Sequence, residues 1–284
     1  MATTVARRMS DGQVVRFPKL RRVLALMYAS VQRAHKIHGL IEVDVTDARR
    51  MIHDVNAKTD EPLSFTAFII LCVARAVAEN ASLNACRKGS NRLVLFDDVD
   101  IATAVEREIG GRKQPIIYII RAANRKGIRE LSHELRVARR APVVSAWKGF
   151  QAERWLKLLP MIVIRAGWAF FWRLRSRTPR AQRRYGGTVG LTAVGMFGKG
   201  GGWAIPLDYH TLDVAVGGIA EKPGVSNGQI AIREYLCLTL SFDHDLIDGA
   251  PAARFVSRLR ELIESGYGLR DVNVLADDRA SLTR

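Results

Sequence analysis

Between Ile232 and Ile263 the spacing of apolar residues changes once, and that change limits the possible folds sharply. Leu236, Leu238, Leu240 and Phe242 recur at every second residue, the period of a strand, with Tyr235, Cys237 and Thr239 on its other face. Phe255, Val256, Leu259, Leu262 and Ile263 recur at threes and fours, the period of a helix with one buried stripe. Pro251 belongs in the first turn of that helix, where its missing N–H costs nothing. A strand that feeds directly into a helix across a short turn places the two in adjacent layers.

The rest of the chain repeats these two periods. Leu20, Val23, Leu24, Met27, Val31 and Ala34 predict a helix over Leu20–Ala34. Leu40–Val45 reads as a strand. Ser64 is a fitting N-cap for a helix through Phe65, Phe68, Ile69, Cys72, Val73, Ala76 and Val77. Strands follow at Leu93–Phe96, Val99–Val105 and Pro115–Ile120, then a helix around Ile128, Leu131, Leu135 and Val137. Thr188–Val194, Leu212–Ile219 and Ile232–Phe242 are the last strands. Several strands succeed one another without a helix between them. The expected fold class is α/β, a two-layer sandwich of helices on a mixed sheet, in a single domain over 1–284.

A formal charge of +16 attracts polyanions, whether nucleic acid, anionic lipid or a phosphate-bearing cofactor. No nucleic-acid recognition module is visible, so nucleic acid is not the expected partner. The three cysteines form no CxxC pair, which points to a reducing compartment and gives no sign of a metal site. Met1–Arg22 lacks an apolar signal core, so the expected location is cytoplasmic.

One stretch breaks the pattern. Residues 147–184 hold four of the five tryptophans, Trp147, Trp155, Trp168 and Trp172. The apolar part, Trp155–Trp172, is interrupted by Lys157, Pro160 and Arg165, which argues against a membrane span of about 20 residues. Arg173, Arg175, Arg177, Arg180, Arg183 and Arg184 follow with no acid between them. Tryptophan beside arginine suits the surface of an anionic membrane, at its inner face for a cytoplasmic chain. A helix packed on a partner subunit and followed by a solvated basic loop is the plainer reading.

The turn after the last strand carries the chemistry. In Ser241-Phe242-Asp243-His244-Asp245-Leu246-Ile247-Asp248-Gly249, a neutral His244 can take a proton from a thiol or hydroxyl attacking a carbonyl. Asp248, four residues on, can pair with an arginine and hold the loop. Acyl transfer also needs a donor for the developing oxyanion. The Thr192 hydroxyl, at the end of a short strand in Gly187–Gly198, is the candidate.

These segments resemble a known family. Ser241–Phe255 resembles the DHRxxDGAxAARF signature of the acyltransferase component of 2-oxo acid dehydrogenase complexes, and Gly187–Gly198 its GTFTISNLGMFG segment. Ile41–Thr46, Leu83–Ala85, Asp97–Val105 and Ala122–Ile128 resemble further motifs in the same order. The resemblance implies a chloramphenicol acetyltransferase-like fold and a homotrimer with its sites between subunits. In such a site His244 is the general base, Thr192 the oxyanion donor and Asp248 the loop-ordering carboxylate. Coenzyme A and a dihydrolipoamide-like thiol are the implied substrates, with a lipoyl-bearing protein as partner, and no metal. Arg21 or Arg22 is a candidate partner for Asp248.

The chain departs from that pattern in four places. Asp245 stands where the family usually has arginine and sets a carboxylate beside His244, favouring the imidazolium over the neutral form a base needs. No lipoyl or subunit-binding domain is legible. The 147–184 insertion enlarges a connection that is short in the family. A polar extension at about 270–284 runs past the usual end, and so favours an isolated trimer. These departures leave an alternative: a catalytically weak or inactive trimeric scaffold held at an anionic membrane by 147–184.

Overall fold

The computed structural model describes residues 7–9, 12–14, 22, 25, 35–89, 91–109, 112–140, 160, 162–164, 166–167, 170, 179–195, 200–207, 209–226 and 228–270. The chain divides into two compact units. The first takes in Met1–Arg33 and Trp147–Leu174, the second Ala34–Ala146 and Arg175–Arg284. The first contributes an antiparallel hairpin, β1 (Arg7–Met9) and β2 (Gly12–Val14). The helix expected over Leu20–Ala34, most of Trp147–Thr178 and the extension beyond Arg270 lie outside the described residues.

The second unit begins with β3 (Lys36–Asp44), α1 (Thr46–Asn56) and α2 (Phe65–Ala78). The ribbon β4 (Ala85–Lys88) and β5 (Arg92–Leu95) follows, then β6 (Ile101–Ile109), β7 (Arg112–Ile120) and α3 (Ile128–Arg140). The described chain resumes with α4 (Pro179–Gly186), β8 (Val189–Ala193), β9 (Leu212–Ser226), β10 (Gln229–Asp243) and α5 (Gly249–Glu264). The main sheet has six strands in the order β3-β10-β9-β8-β6-β7. The β6–β8 and β8–β9 pairs are parallel and the others antiparallel, so the sheet is mixed, as the succession of periods predicts.

Helix α2 is apolar on every side, and only Arg75 of Ala67–Val77 reaches solvent. A helix of that kind belongs in the middle of a core, and α2 packs against both α3 and α5. Its start is fixed twice: the Ser64 side chain accepts from the Ala67 N–H at 3.4 Å, and the Ser64 N–H donates to Ser132 of α3 at 3.0 Å. Below it, Leu236, Leu238, Leu240 and Phe242 of β10 are buried by the helical layer, and Phe242 meets Phe255 of α5 edge-on at 6.0 Å. The elements on either side of the His244 turn are therefore locked to each other by an aromatic contact.

The structure corrects or adds to the sequence reading in four places. Thr46–Asn56 is a helix that its mostly polar sequence conceals. Pro179–Gly186 is also a helix, not a solvated loop, and Arg183 within it is committed to Asp98 and Asp100. β9 and β10 run on to Ser226 and back from Gln229, well beyond the predicted strand ends. The second face of β10 is buried too, since Cys237, Thr239 and Ser241 are at most 1% exposed.

Candidate active site

The His244 turn is pinned by backbone hydrogen bonds to two neighbouring segments. Asp243 donates its N–H to the Thr211 carbonyl at 2.9 Å, and His244 donates to the His35 carbonyl at 2.7 Å. Leu246 and Ile247 close the turn onto the Asp243 carbonyl, and the Ile247 side chain plugs the core. The His244 ring is left half-exposed at the end of the sheet. Its Nδ1 lies 3.1 Å from the Ile247 carbonyl. A carbonyl only accepts, so Nδ1 carries the proton, and in the neutral ring Nε2 keeps its lone pair. That is the arrangement a general base requires.

Asp248 opens α5 as its N-cap residue, without a side-chain cap hydrogen bond. Its carboxylate is 87% exposed and 3.7 Å from His244 Nδ1, a distance for electrostatic support rather than a hydrogen bond. Among the described residues it has no arginine partner. Arg21 lies outside them, and Arg22 belongs to the first unit.

Asp245 is not turned to the ring beside it, contrary to the sequence expectation. Its Oδ1 meets His35 Nδ1 at 2.9 Å and its Oδ2 accepts from Arg87 Nη1 at 2.7 Å. The His35 hydrogen bond foremost, joined by the His35 and Arg87 charges and the Arg87 hydrogen bond, outweighs desolvation and holds the Asp245 carboxyl below its ordinary range. Arg87 and Asp245 share the wall of an open groove of about 390 Å³ with Asn91, Arg92, Leu93 and Leu246.

Thr192 lies half-buried in β8, whose start is built from unusual contacts. Gly187 has φ +75°, and a Cβ there would lie 2.7 Å from the Asp100 carbonyl. That close approach lets Thr188 donate its N–H to Asp100 at 2.7 Å. The Asp100 side chain accepts from Arg121, Arg183 and the Ala122 N–H. Burial pushes the Asp100 carboxyl up, but those donors, Arg183 foremost, overcome it and hold the carboxyl low.

The strand register separates the two proposed partners within one chain. Thr192 is level with Ala215 of β9, and Ala215 with Thr239 of β10. His244 comes five residues beyond Thr239. At about 3.3 Å per residue and about 4.8 Å between strands, Thr192 and His244 stand roughly 16 Å apart along the strands and 10 Å across them. His244 and Asp248 are brought together; Thr192 is not brought to either.

A buried pair that the sequence reading missed sits beneath this end of the sheet. His210 Nδ1 is 2.7 Å from Asp213 Oδ1, and Nε2 is 2.7 Å from the Gly186 carbonyl. Asp213 Oδ2 also accepts the Tyr209 and His210 N–H groups, both at 2.8 Å. The only local signal was a histidine and an aspartate three apart at a strand start.

A six-stranded mixed sheet packed with helices, and a histidine presented by a strand-to-helix turn, make an α/β fold that the acyltransferase cores of 2-oxo acid dehydrogenase complexes share. The solved cubic core of the pyruvate dehydrogenase multienzyme complex matches it with a TM-score of 0.66 over 91% of this chain and 95% of that one, at 19% identity. The dihydrolipoamide acetyltransferase of Azotobacter vinelandii matches with a TM-score of 0.64 over 91% and 94%, at 18% identity. A serine, a histidine and an asparagine are named in the catalytic mechanism of that enzyme. In sequence, the chain is 27% identical over 266 residues to the dihydrolipoyllysine-residue acetyltransferase component of the pyruvate dehydrogenase complex of Rickettsia conorii, covering 92% of this chain and 56% of that one. The chain thus spans about half the length of the curated relatives it matches. The model of the 2-oxoacid dehydrogenases acyltransferase (catalytic domain) family matches residues 10–141 and 170–269, and the chain belongs to that family. The match is interrupted over 142–169, which overlaps the tryptophan- and arginine-rich stretch.

Proposed function

We propose that this chain is an acyltransferase that moves an acyl group between coenzyme A and a thiol of the dihydrolipoamide kind. The observation that carries the reading is the His244 ring, with Nδ1 committed to the Ile247 carbonyl and Nε2 left to accept a proton. His244 Nε2 takes the proton of the attacking thiol as sulfur adds to the acyl carbonyl, and returns it to the departing thiolate. The Thr192 hydroxyl donates to the oxyanion of the tetrahedral intermediate. Because register keeps Thr192 far from His244 in one chain, the hydroxyl comes from a neighbouring copy in a homotrimer. Support comes also from spacing: the serine, histidine and asparagine named for the Azotobacter vinelandii enzyme are separated along its chain as Thr192, His244 and Asp248 are here. The dihydrolipoyl group arrives on a lipoyl-bearing domain, and the +16 charge favours the polyanionic coenzyme A.

The test is acyl exchange between acetyl-coenzyme A and free dihydrolipoamide by the purified chain. His244→Ala should abolish it, and unchanged turnover in that variant removes His244 from the chemistry.

A further inference from the structure

The Asp245 carboxylate touches groups from two other elements. One is Arg87 on β4, whose guanidinium donates to Oδ2 at 2.7 Å; the other is His35, at the foot of β3, 2.9 Å from Oδ1. His35 also supplies the carbonyl that accepts the His244 N–H. One residue on each side of the peptide joining His244 to Asp245 is thus tied to the same place. The Asp245 N–H turns inward to Asp243 Oδ1 at 3.1 Å, so the backbone cannot swing without breaking several contacts together. Arg87 in turn belongs to a ribbon held by Asn84, which donates to the Phe96 and Asp98 carbonyls at 2.6 and 3.0 Å.

From this geometry we infer that Asp245 is a positioning residue, the acidic half of a latch with Arg87 that fixes the His244 turn against β4. The inference rests on the reading of His244 as the base, and it converts an apparent defect into a working part. In the family signature the residue after the histidine is a cation; here it is an anion, and the cation sits across the groove on Arg87. Held this way, the carboxylate is satisfied by Arg87 and His35 and is directed away from the His244 ring. Both latch residues are partly exposed, so either can be exchanged without opening the core.

A charge swap tests the latch on the full chain. Arg87→Asp and Asp245→Arg singly place like charges together, and the double variant restores an opposite pair with its sides exchanged. Two readouts are taken: acyl exchange, resolved into kcat and KM, and carbethoxylation of His244 by diethyl pyrocarbonate, followed by peptide mass spectrometry. Each single variant should lower kcat about tenfold with little change in KM and should alter the His244 modification rate several-fold, while the double variant recovers most of both. Asp245→Asn, which removes the charge without repulsion, should fall between. Single variants equal to the parent in both readouts, or a double variant as impaired as the worse single one, overturn the latch. If the parent chain shows no exchange yet His244 modification follows the swap, the latch stands and the acyl-transfer reading falls.

Discussion

Replacing His210 by leucine tests whether a buried charge pair organises the floor beneath the His244 turn. Both ring nitrogens of His210 face acceptors, the Asp213 carboxylate and the Gly186 carbonyl. Both are therefore placed to donate, an ion pair with Asp213 when the ring carries both protons. The pair is secluded, with side chains 7% and 6% exposed. Burial pushes the Asp213 carboxyl up, but the His210 charge and hydrogen bond, the His210 N–H and Lys36 outweigh it and hold the carboxyl below its ordinary range. His210→Leu leaves that carboxylate buried without its counter-ion and strips the Gly186 carbonyl, a change that costs about 3–5 kcal/mol. For a chain of this size that corresponds to a fall in Tm on the order of 10 °C. Asp213→Asn is the informative control. Its amide oxygen can accept the Tyr209 and His210 N–H groups while its NH2 faces Nδ1, and a neutral ring still donates from Nε2 to Gly186. Every polar atom stays paired, so the cost should stay under about 2 kcal/mol. Urea unfolding followed by circular dichroism measures both. A His210→Leu variant within about 1 kcal/mol of the parent, or one no worse than Asp213→Asn, would refute the ion-pair account.

Two further outcomes follow from the same cluster. Gly190→Ala should destabilise the chain markedly in a thermal melt, because the new Cβ would lie 1.9 Å from Asp213 Oδ1 and 2.8 Å from His210 Nδ1, neither of which can move without breaking the pair. The depressed Asp213 carboxyl contributes stability that is full above its unfolded value, about 3.9, and is lost as pH falls through the lower folded value; Asp213→Asn should therefore flatten part of the acid limb of a stability–pH curve.

The period change at Asp243–Gly249 was legible because both neighbouring elements bury one apolar face, and so was α2, where ten buried residues overwhelm any other pattern. α1 was hidden because only Ala48, Ile52 and Val55 of its eleven residues are buried, among arginines, aspartates and a histidine. The distal half of β9 was hidden for another reason. Lys222-Pro223-Gly224 reads as a turn, yet β9 pairs with β8 only as far as Val216. Beyond that point, apart from a single bridge from Gly218 to Gly202, that side of β9 has no strand partner among the described residues, and a proline without an N–H is tolerated on such an edge. The candidate base His244 was legible from its own turn. The fate of Asp245 was not, since its partner Arg87 lies 158 residues upstream and nothing near either residue advertises the pair. The same holds for the arginine run, where Arg183 finds Asp98 and Asp100 more than eighty residues away. Local sequence gives the presence of a charge, and only the fold gives its partner.

The register argument extends to a test that separates two ways of building the site. If His244 of one copy works with Thr192 of the next, a closed trimer has three such junctions, each drawing one residue from each neighbour. His244→Ala and Thr192→Ala chains should each form trimers with little exchange activity. Denatured together in equal amounts and refolded, they assort at random. A junction is then intact when the chain giving histidine carries the threonine substitution and the chain giving threonine carries the histidine substitution, which happens about a quarter of the time. Activity should therefore return to about a quarter of the parent level. Mixing without unfolding is the control, and should restore nothing as long as the assembled copies keep their own chains. If the two side chains met within one chain, every site in every mixed trimer would lack one of them, and refolding would leave the mixture as inactive as its parts. Recovery would place the oxyanion donor across a subunit boundary, in keeping with the roughly 16 Å of strand between Thr192 and His244 within one chain.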